Sequence, residues 1–484
     1  MGTIEEQAAE RERKLEELRT RLDGIAVERD PELVRTLSLD RYWKAHVLNA
    51  AGRPLLADAV VRPRTAAEVA RVLAAASEVG IPVVPRAGGS GSQGGAVPER
   101  GGVVVDLSLM NEILDFDERS GLVTAQPGVF GIDLEQWLNE RGFTFPHYPA
   151  SVHLACVGGY LAAKGSGVVS TKYGKIEDLV ASVEVALPSG ALIRTVGVPR
   201  HAVGPDIVGL FIGSEGTLGI ITEATLLARR LPERYAFRAV SFPDVATGLE
   251  AMRGAIAAGW RPAAARLHDA EATQRNLVEV FGVDVSGVVL LLVFDGPAAL
   301  VDVEERETVA ALVAAGGTDE GRDLAEAWWN DRYKIYDLPS YPASYEREVP
   351  KIWGTADIVA AYDRILPAYE AMRALMLDGY EQYDLRFSGH FSHWYTWGAM
   401  VYGRFMIERP PADVDDAIAL YDEIWRRSSE AVMAAGAVIN DHHGIGLKLA
   451  PDVAKQWGSS WEVLETIKHA LDPAGIANPG KLGL

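Results

Sequence analysis

The segment Pro205–Glu223, PDIVGLFIGSEGTLGIITE, constrains the fold of this chain more than any other. An apolar approach (Ile207, Val208, Leu210, Phe211, Ile212) runs into a tight polar turn, Gly213-Ser214-Glu215-Gly216-Thr217, and then into Leu218-Gly219-Ile220-Ile221-Thr222. Glycines lack a Cβ and accept positive φ, so this backbone can come close to something flat or charged. The β-branched run after the turn reads as a buried strand. Taken alone, the segment fits a plain turn between helix and strand equally well. A second glycine loop upstream shifts that balance.

That loop, Pro85-Arg86-Ala87-Gly88-Gly89-Ser90-Gly91-Ser92-Gln93-Gly94-Gly95, follows a short strand, Ile81–Val84. It is too glycine-dense for a plain turn, and successive exposed N–H groups form a nest suited to a pyrophosphate. It is not G-x-G-x-x-G opening a long helix and lacks the Lys-Ser/Thr of a P-loop, which disfavours a nicotinamide site and an NTPase. A third glycine cluster lies in Pro149–Gly167, PASVHLACVGGYLAAKGSG, where Gly158-Gly159 and Gly165-x-Gly167 flank a short helical piece of small residues.

Around these loops the elements alternate. Val60–Pro63 reads as a strand end, Thr65 caps a helix Ala66–Glu78 with Glu68 placed for a capping box, and Gly80 closes it. Strands are expected at 102–107, 113–117, 122–125, 179–187 and 191–195, with a helix over 132–141. Ile4–Asp23, with Leu15, Leu18 and Leu22 at helical spacing, is an amphipathic helix that packs on the body or on a second copy in a homodimer, or else stays solvated. Pro31–Asn49 reads as a linking segment.

Length and charge bound the partners. The chain has 484 residues, enough for two or three domains. Its net charge of −20 argues against nucleic acid or an anionic membrane surface, and an anionic substrate would need locally placed cations. One cysteine, Cys156, excludes an intramolecular disulfide or a multi-Cys metal site. No signal peptide is visible and no apolar run approaches the length of a membrane span, so the cytoplasm is the expected location.

The order of motifs is specific: a Gly-Gly-Ser loop, then Val157-Gly158-Gly159 with Gly165-Ser166-Gly167, then Tyr173-Gly174 with Glu177-Asp178-Leu179, then the GSEGTLGIITE run. It resembles the FAD-binding domain of the vanillyl-alcohol oxidase / p-cresol methylhydroxylase (PCMH) superfamily over residues 58–230. The likeness returns at Leu471–Leu482, LDPAGIANPGKL. The resemblance implies that Pro85, Arg86, Ala87, Gly88, Gly89, Ser90, Gly91 and Ser92 contact FAD. It implies the same for Ala150, Ser151, Cys156, Val157, Gly158, Gly159, Ala163, Gly165 and Ser166, and for Glu215, Gly216, Leu218, Gly219, Ile220 and Ile221. Many members attach the flavin through a histidine in the glycine loop. Ser90 stands there and cannot form the bond, and Cys156 is out of register with the cysteine that other members use. Non-covalent FAD is therefore expected.

After Pro232, strands at 235–242, 262–267 and 288–294 alternate with helices at 244–258 and 298–315. They imply an antiparallel sheet covered by helices, the substrate cap of the same family. The fold expected is α+β: an N-terminal helical segment (1–49), a PCMH-type FAD domain (50–232), a cap (233–443) that splits it, and a C-terminal return (444–484).

Three cap segments carry candidate chemistry. Arg332, in AWWNDRY, sits among bulky apolar residues, where a guanidinium could clamp a carboxylate or phosphate. A surface salt-bridge arginine is the plain alternative; the alkylglycerone-phosphate synthase and D-2-hydroxyacid dehydrogenase branches place a substrate arginine here. In Arg386–Ala399, read as one strand, period 2 puts His393, Tyr395 and Trp397 on one face and His390, Ser392 and Trp394 on the other. The synthase branch also has Tyr-x-x-Gly-Ala here. That aligns Tyr395 with its proposed acid/base, once a nearby cation draws off the proton; a cross-strand aromatic pair is the plain alternative.

Asp441-His442-His443 stands between the three histidines of the synthases and the Glu-His-Gly of D-lactate and glycolate dehydrogenases. Some of those dehydrogenases bind zinc. Here His390 matches one ligand, Trp397 replaces another and His442 takes the place of the glutamate; no metal is expected, with convergence of His390, His393 and His442 on one as the alternative. Trp328, Trp329, Trp353, Trp394 and Trp397 suggest an aromatic-rich pocket for a bulky small-molecule substrate, or simply core. The expected activity is oxidation of an alcohol or 2-hydroxy acid by hydride transfer to flavin N5. Tyr395, His442 or His443 would take the proton and Arg332 would hold an anionic group. The alternative is a synthase-like transferase working through a flavin N5 adduct without net redox change.

Overall fold

The computed structural model describes residues 4–332 and 352–484. Its first sheet is built on Ala59–Val61, Val103–Asp106 and Val83–Arg86, which run parallel, with Val27–Glu28 antiparallel at one edge. Parallel strands need a crossover connection, and the helix Ala66–Val79 supplies it between Ala59–Val61 and Val83–Arg86, which flank Val103–Asp106. Thr65 Oγ1 accepts the Glu68 amide at 3.2 Å, and Gly80, at φ +69°, ends the helix. The strands are apolar along their length because the sheet is covered on both faces.

The N-terminal helix Ile4–Arg21 packs on the body of the molecule. Leu15, Leu18 and Leu22 are buried in one apolar cluster with Val69, Val72 and Leu73 of the crossover helix. The segment expected to be a link instead forms helices Pro31–Leu37 and Trp43–Ala50. Asp30 caps the first, accepting the Leu33 amide at 2.8 Å, with Pro31 at the first helical position, a start signal the linking-segment reading passed over.

The second sheet, antiparallel throughout, runs Ile113–Asp117, Leu122–Ala125, Ile220–Leu227, Val180–Ala186, Leu192–Arg194. Its central strand is the β-branched run after the GSEGTLG turn, preceded by the short helix Ile207–Phe211.

The cap is a seven-stranded antiparallel sheet. Its order is Thr318–Gly321, Arg234–Phe242, Val288–Gly296, Ala264–His268, Leu385–Trp394, Gly398–Ile407, Ile352–Ala361. Helices Val245–Ala257, Tyr362–Gly379 and Val414–Ala434 cover it and share its largest apolar cluster. The segment read as one strand through Ala399 is a hairpin: Tyr395, Thr396 and Trp397 form its turn, closed by the Tyr395 amide on the Gly398 carbonyl at 2.8 Å.

The C-terminal residues return to the first lobe. Ala477 bridges Val83, and Asn478 Nδ2 donates to the carbonyls of Gly95 (3.0 Å) and Glu215 (2.6 Å). Buried Lys468 donates to Asp472 (2.6 Å) and to the carbonyls of Thr217 and Ala477 (both 2.8 Å). These bonds hold both glycine loops against the C-terminal segment.

Candidate active site

Where the glycine loops face the cap sheet, a cavity of about 650 Å³ opens, within the range of ligand pockets, about 300–1,000 Å³. Pro85–Ser92, Ala150, Ser151, Cys156, Gly158, Gly159, Ala163, Gly165, Ser166, Glu215, Gly216, Gly219, Ile220 and Ile221 all line it. Val157 and Leu218 do not: their side chains are buried in the apolar core, leaving only backbone to offer.

This wall suits a flavin dinucleotide. Among the described residues, none of the amides from Ala87 to Ser92 donates to a backbone carbonyl or a side chain, so an anion can take them. A Cβ on Gly91 or Gly159 would meet nothing within 4 Å, which leaves their backbone open to a ligand. At Gly88 the constraint is internal, since a Cβ would stand 2.2 Å from the Leu154 carbonyl oxygen. Buried Gln93 and His147 line the same wall, and among the described residues their side-chain polar atoms have no protein partner. Sequence reading named neither as a site residue; for Gln93 a polar residue inside the glycine run was the available signal, and His147 carries no such mark.

Glu215 is clamped to the C-terminal segment. Its carboxylate accepts the amides of Ile445 and Gly446, the latter at 2.8 Å, yet burial outweighs them and pushes its pKa up to about 7. Burial pushes the Cys156 thiol up to about 12.

The opposite wall is the cap sheet. His390 pairs with Tyr402 and with His268 across neighbouring strands, and all three line the cavity. Ser392 and His393 both reach the wall as well, because the pairing shifts register between Phe391 and Trp394 and the simple alternation expected there breaks. Burial, with Arg266 nearby, holds His390 well below the usual histidine range and His268 down to about 3, so both are neutral.

His442 and His443 arrive on the turn after helix Val414–Ala434 and line the same wall. His442 Nδ1 lies 3.1 Å from Asp441 Oδ2, and His393 Nδ1 lies 3.0 Å from the same oxygen. His443 Nδ1 lies 2.7 Å from Asp357 Oδ1. Asp441 also accepts Tyr395 Oη at 3.0 Å and Ser166 Oγ at 3.3 Å, with Lys175 Nζ 3.6 Å away. Burial works against ionisation of Asp441, but His393, His442 and Lys175 outweigh it and hold the carboxyl well below its usual range. A metal-type grouping of these atoms exists on distance alone, within 4.8 Å. The carboxylate oxygens are already taken by imidazole and amide donors, which accounts for the cluster as a hydrogen-bonded network.

Tyr395 is set behind the cavity wall rather than on it. Its hydroxyl meets a carboxylate instead of the expected cation, and burial together with Asp441 raises its pKa far above the usual phenol range. Arg332, which caps helix Asp323–Asp331, lines the cavity with its guanidinium 3.8 Å over the Trp329 ring. Of the five tryptophans, Trp328 and Trp353 line the cavity. Trp329 lies beneath Arg332, Trp394 is core and donates to the Ala265 carbonyl at 2.9 Å, and Trp397 is mostly solvent-exposed, stacked on Tyr395.

Two family models match. An FAD binding domain covers residues 57–196, and the C-terminal domain of FAD linked oxidases covers 231–482. The chain is 31% identical to the uncharacterized FAD-linked oxidoreductase YgcU of Escherichia coli (strain K12), over 94% of each chain. It is 30% identical to the glycolate oxidase subunit GlcD of Bacillus subtilis (strain 168), over 88% of each. It is 28% identical to the alkyldihydroxyacetonephosphate synthase of Trypanosoma brucei brucei, over 88% of this chain and 73% of that one. A p-cresol methylhydroxylase structure with substrate bound superposes with a TM-score of 0.76 at 18% identity, covering 98% of this chain and 97% of that one, which shows the fold alone. Among the described residues no helix is long and apolar enough to cross a membrane. The chain therefore belongs to the FAD-linked oxidases with a PCMH-type flavin fold, and FAD is its cofactor.

Proposed function

We propose that the protein oxidises the hydroxyl-bearing carbon of an alcohol or a 2-hydroxy acid, with His442 taking the hydroxyl proton. One observation carries this reading. His393, His442 and His443 all line the cavity, and each turns Nδ1 to a buried carboxylate. With Nδ1–H donating there, each Nε2 is left as a proton acceptor. Oxidation of C–OH to C=O releases a proton from oxygen and a hydride from carbon; bound FAD supplies the hydride acceptor.

His442 receives the proton, and the Asp441 carboxylate stabilises the imidazolium that forms. Asp441 stays ionised for this role because Lys175, His393 and Ser166 face it together. Tyr395 acts through Asp441, donating to its other oxygen, rather than as a base. Arg332, braced on Trp329, is suited to hold a substrate carboxylate. The GlcD relative supports a 2-hydroxy acid.

Anaerobic mixing with a panel of small 2-hydroxy acids and benzylic alcohols tests the reading: the flavin absorbance near ~450 nm is expected to bleach with at least one of them. A second reading, transfer without net redox change, is favoured by the paired histidines and the synthase relative. It predicts no bleaching with any alcohol and a spectral change only with an acyl-dihydroxyacetone phosphate.

Non-covalent attachment is part of this reading, supported by Ser90 in the loop and by burial that pushes up the pKa of the Cys156 thiol. Acid precipitation of the holoprotein is expected to leave the yellow colour in the supernatant; colour in the pellet would contradict this.

A further inference from the structure

Asp357 stands in the edge strand Ile352–Ala361 of the cap sheet, paired with Tyr402, and its side chain is 1% exposed. An acid at a buried strand position needs partners, and Asp357 has them on both oxygens. Oδ2 accepts three successive amides: Asp441 at 3.2 Å, His442 at 2.8 Å and His443 at 3.2 Å. Oδ1 accepts His443 Nδ1 at 2.7 Å, and the Asp357 carbonyl accepts the Asp441 amide at 2.7 Å.

We propose that Asp357 is a positioning residue: one oxygen holds the Asp441–His443 turn to the cap sheet, and the other fixes the His443 ring so that Nε2 is the nitrogen left for the cavity. This rests on the reading of that turn as the proton-accepting element, but its test does not need a substrate. A residue that only tied down the turn would need one acceptor, and Oδ2 alone meets the three amides. The second oxygen is spent on the imidazole.

Among the described residues, the other groups facing His443 do not set its tautomer. His442 lies beside it, with ring centroids 4.1 Å apart, the Tyr402 ring stands edge-on at 5.5 Å, and Lys448 acts on it only as a charge. Asn440 Oδ1 accepts the His443 amide at 3.1 Å, not the ring. Burial opposes an ionised Asp357, but His443 and His442 outweigh it and keep the carboxyl below its usual range.

The variant Asp357→Asn makes the idea sharp. Three amides demand an oxygen at the Oδ2 position, so the new amide NH₂ must take the Oδ1 position and donate to His443 Nδ1. The ring then carries its proton on Nε2 and presents a donor to the cavity. The measurement is ¹⁵N-histidine NMR of the full-length FAD-loaded protein, with the His443 signal assigned by its loss in His443→Gln.

Wild type is expected to show His443 protonated on Nδ1 and bare on Nε2, and Asp357→Asn the reverse. Wild type with the proton on Nε2 would overturn the proposal even if the variant does not fold. So would an Asp357→Asn spectrum that keeps the Nδ1–H form. Where a reducing substrate is in hand, kcat is expected to fall at least about 100-fold in Asp357→Asn with KM within about 3-fold. Failure of every alcohol to bleach the flavin would count against the proposed reaction and leave the tautomer result standing.

Discussion

Asp441 is the residue on which the proposed chemistry turns. Two histidine Nδ1 atoms share its Oδ2, and a tyrosine hydroxyl occupies Oδ1. A buried carboxylate so placed sets ring orientation and stabilises positive charge without itself changing protonation. In the proposed reaction Tyr395 is then a supporting donor, its phenol held protonated by burial and by Asp441. Tyr395→Phe removes one hydrogen bond to a charged group, worth about 1.5–3 kcal/mol, so the expected cost in kcat is about 10- to 100-fold. Steady-state kinetics check this, with the pH profile keeping its acid limb; disappearance of that limb would return the base role to the tyrosine.

The glycine loops were legible because composition itself marks them, and nearly every residue named from them lines the cavity. The exceptions, Val157 and Leu218, were apolar positions inside a motif, where contact by backbone and contact by side chain look the same in sequence. Asp357 was illegible for a different reason. It is a single acid in an apolar strand, and its partners lie about 85 positions away in the chain.

At the scale of elements, the alternation of strands and helices fixed the class of fold, and three misreadings have physical causes. Asp30-Pro31 starts a helix inside what reads as a linker. Tyr395-Thr396-Trp397 turns a hairpin without the Asn-Gly or Asp-Gly pair that usually signals one. The register shift after Phe391 then brings Ser392 and His393 to the same wall.

The latch between the GSEGTLG turn and the C-terminal segment carries a pH signature. Glu215 titrates near 7 when folded and near 4.5 when not, so the folded state binds the extra proton between those values. Its contribution is complete below about 4.5 and is lost as pH rises through about 7. Stability at pH 5 relative to pH 8 should therefore shrink in Glu215→Gln by up to about 3 kcal/mol. Chemical denaturation of both proteins at the two pH values measures it; an unchanged difference would mean that the two amides keep Glu215 ionised.

The molecule as a whole brings two unlike surfaces to one cavity. The flavin lobe contributes open backbone amides and glycines, and the cap contributes neutral histidines, arginines and the carboxylate-held pair on the Asp441–His443 turn. With a net charge of −20, the chain repels anions at long range, so an anionic substrate depends on cations such as Arg332 inside the cavity. Under the proposed reaction, this division puts the proton acceptor on the cap and the hydride acceptor on the flavin lobe. Removing the acceptor should slow chemistry without disturbing the flavin.

The most direct test is anaerobic stopped-flow of His442→Gln against wild type, using whichever 2-hydroxy acid or alcohol bleaches the wild-type flavin. An unchanged oxidised spectrum and FAD content are expected, with a bleaching rate lower by about 10²- to 10⁴-fold. Bleaching at the wild-type rate would contradict this and take proton abstraction away from the cap turn.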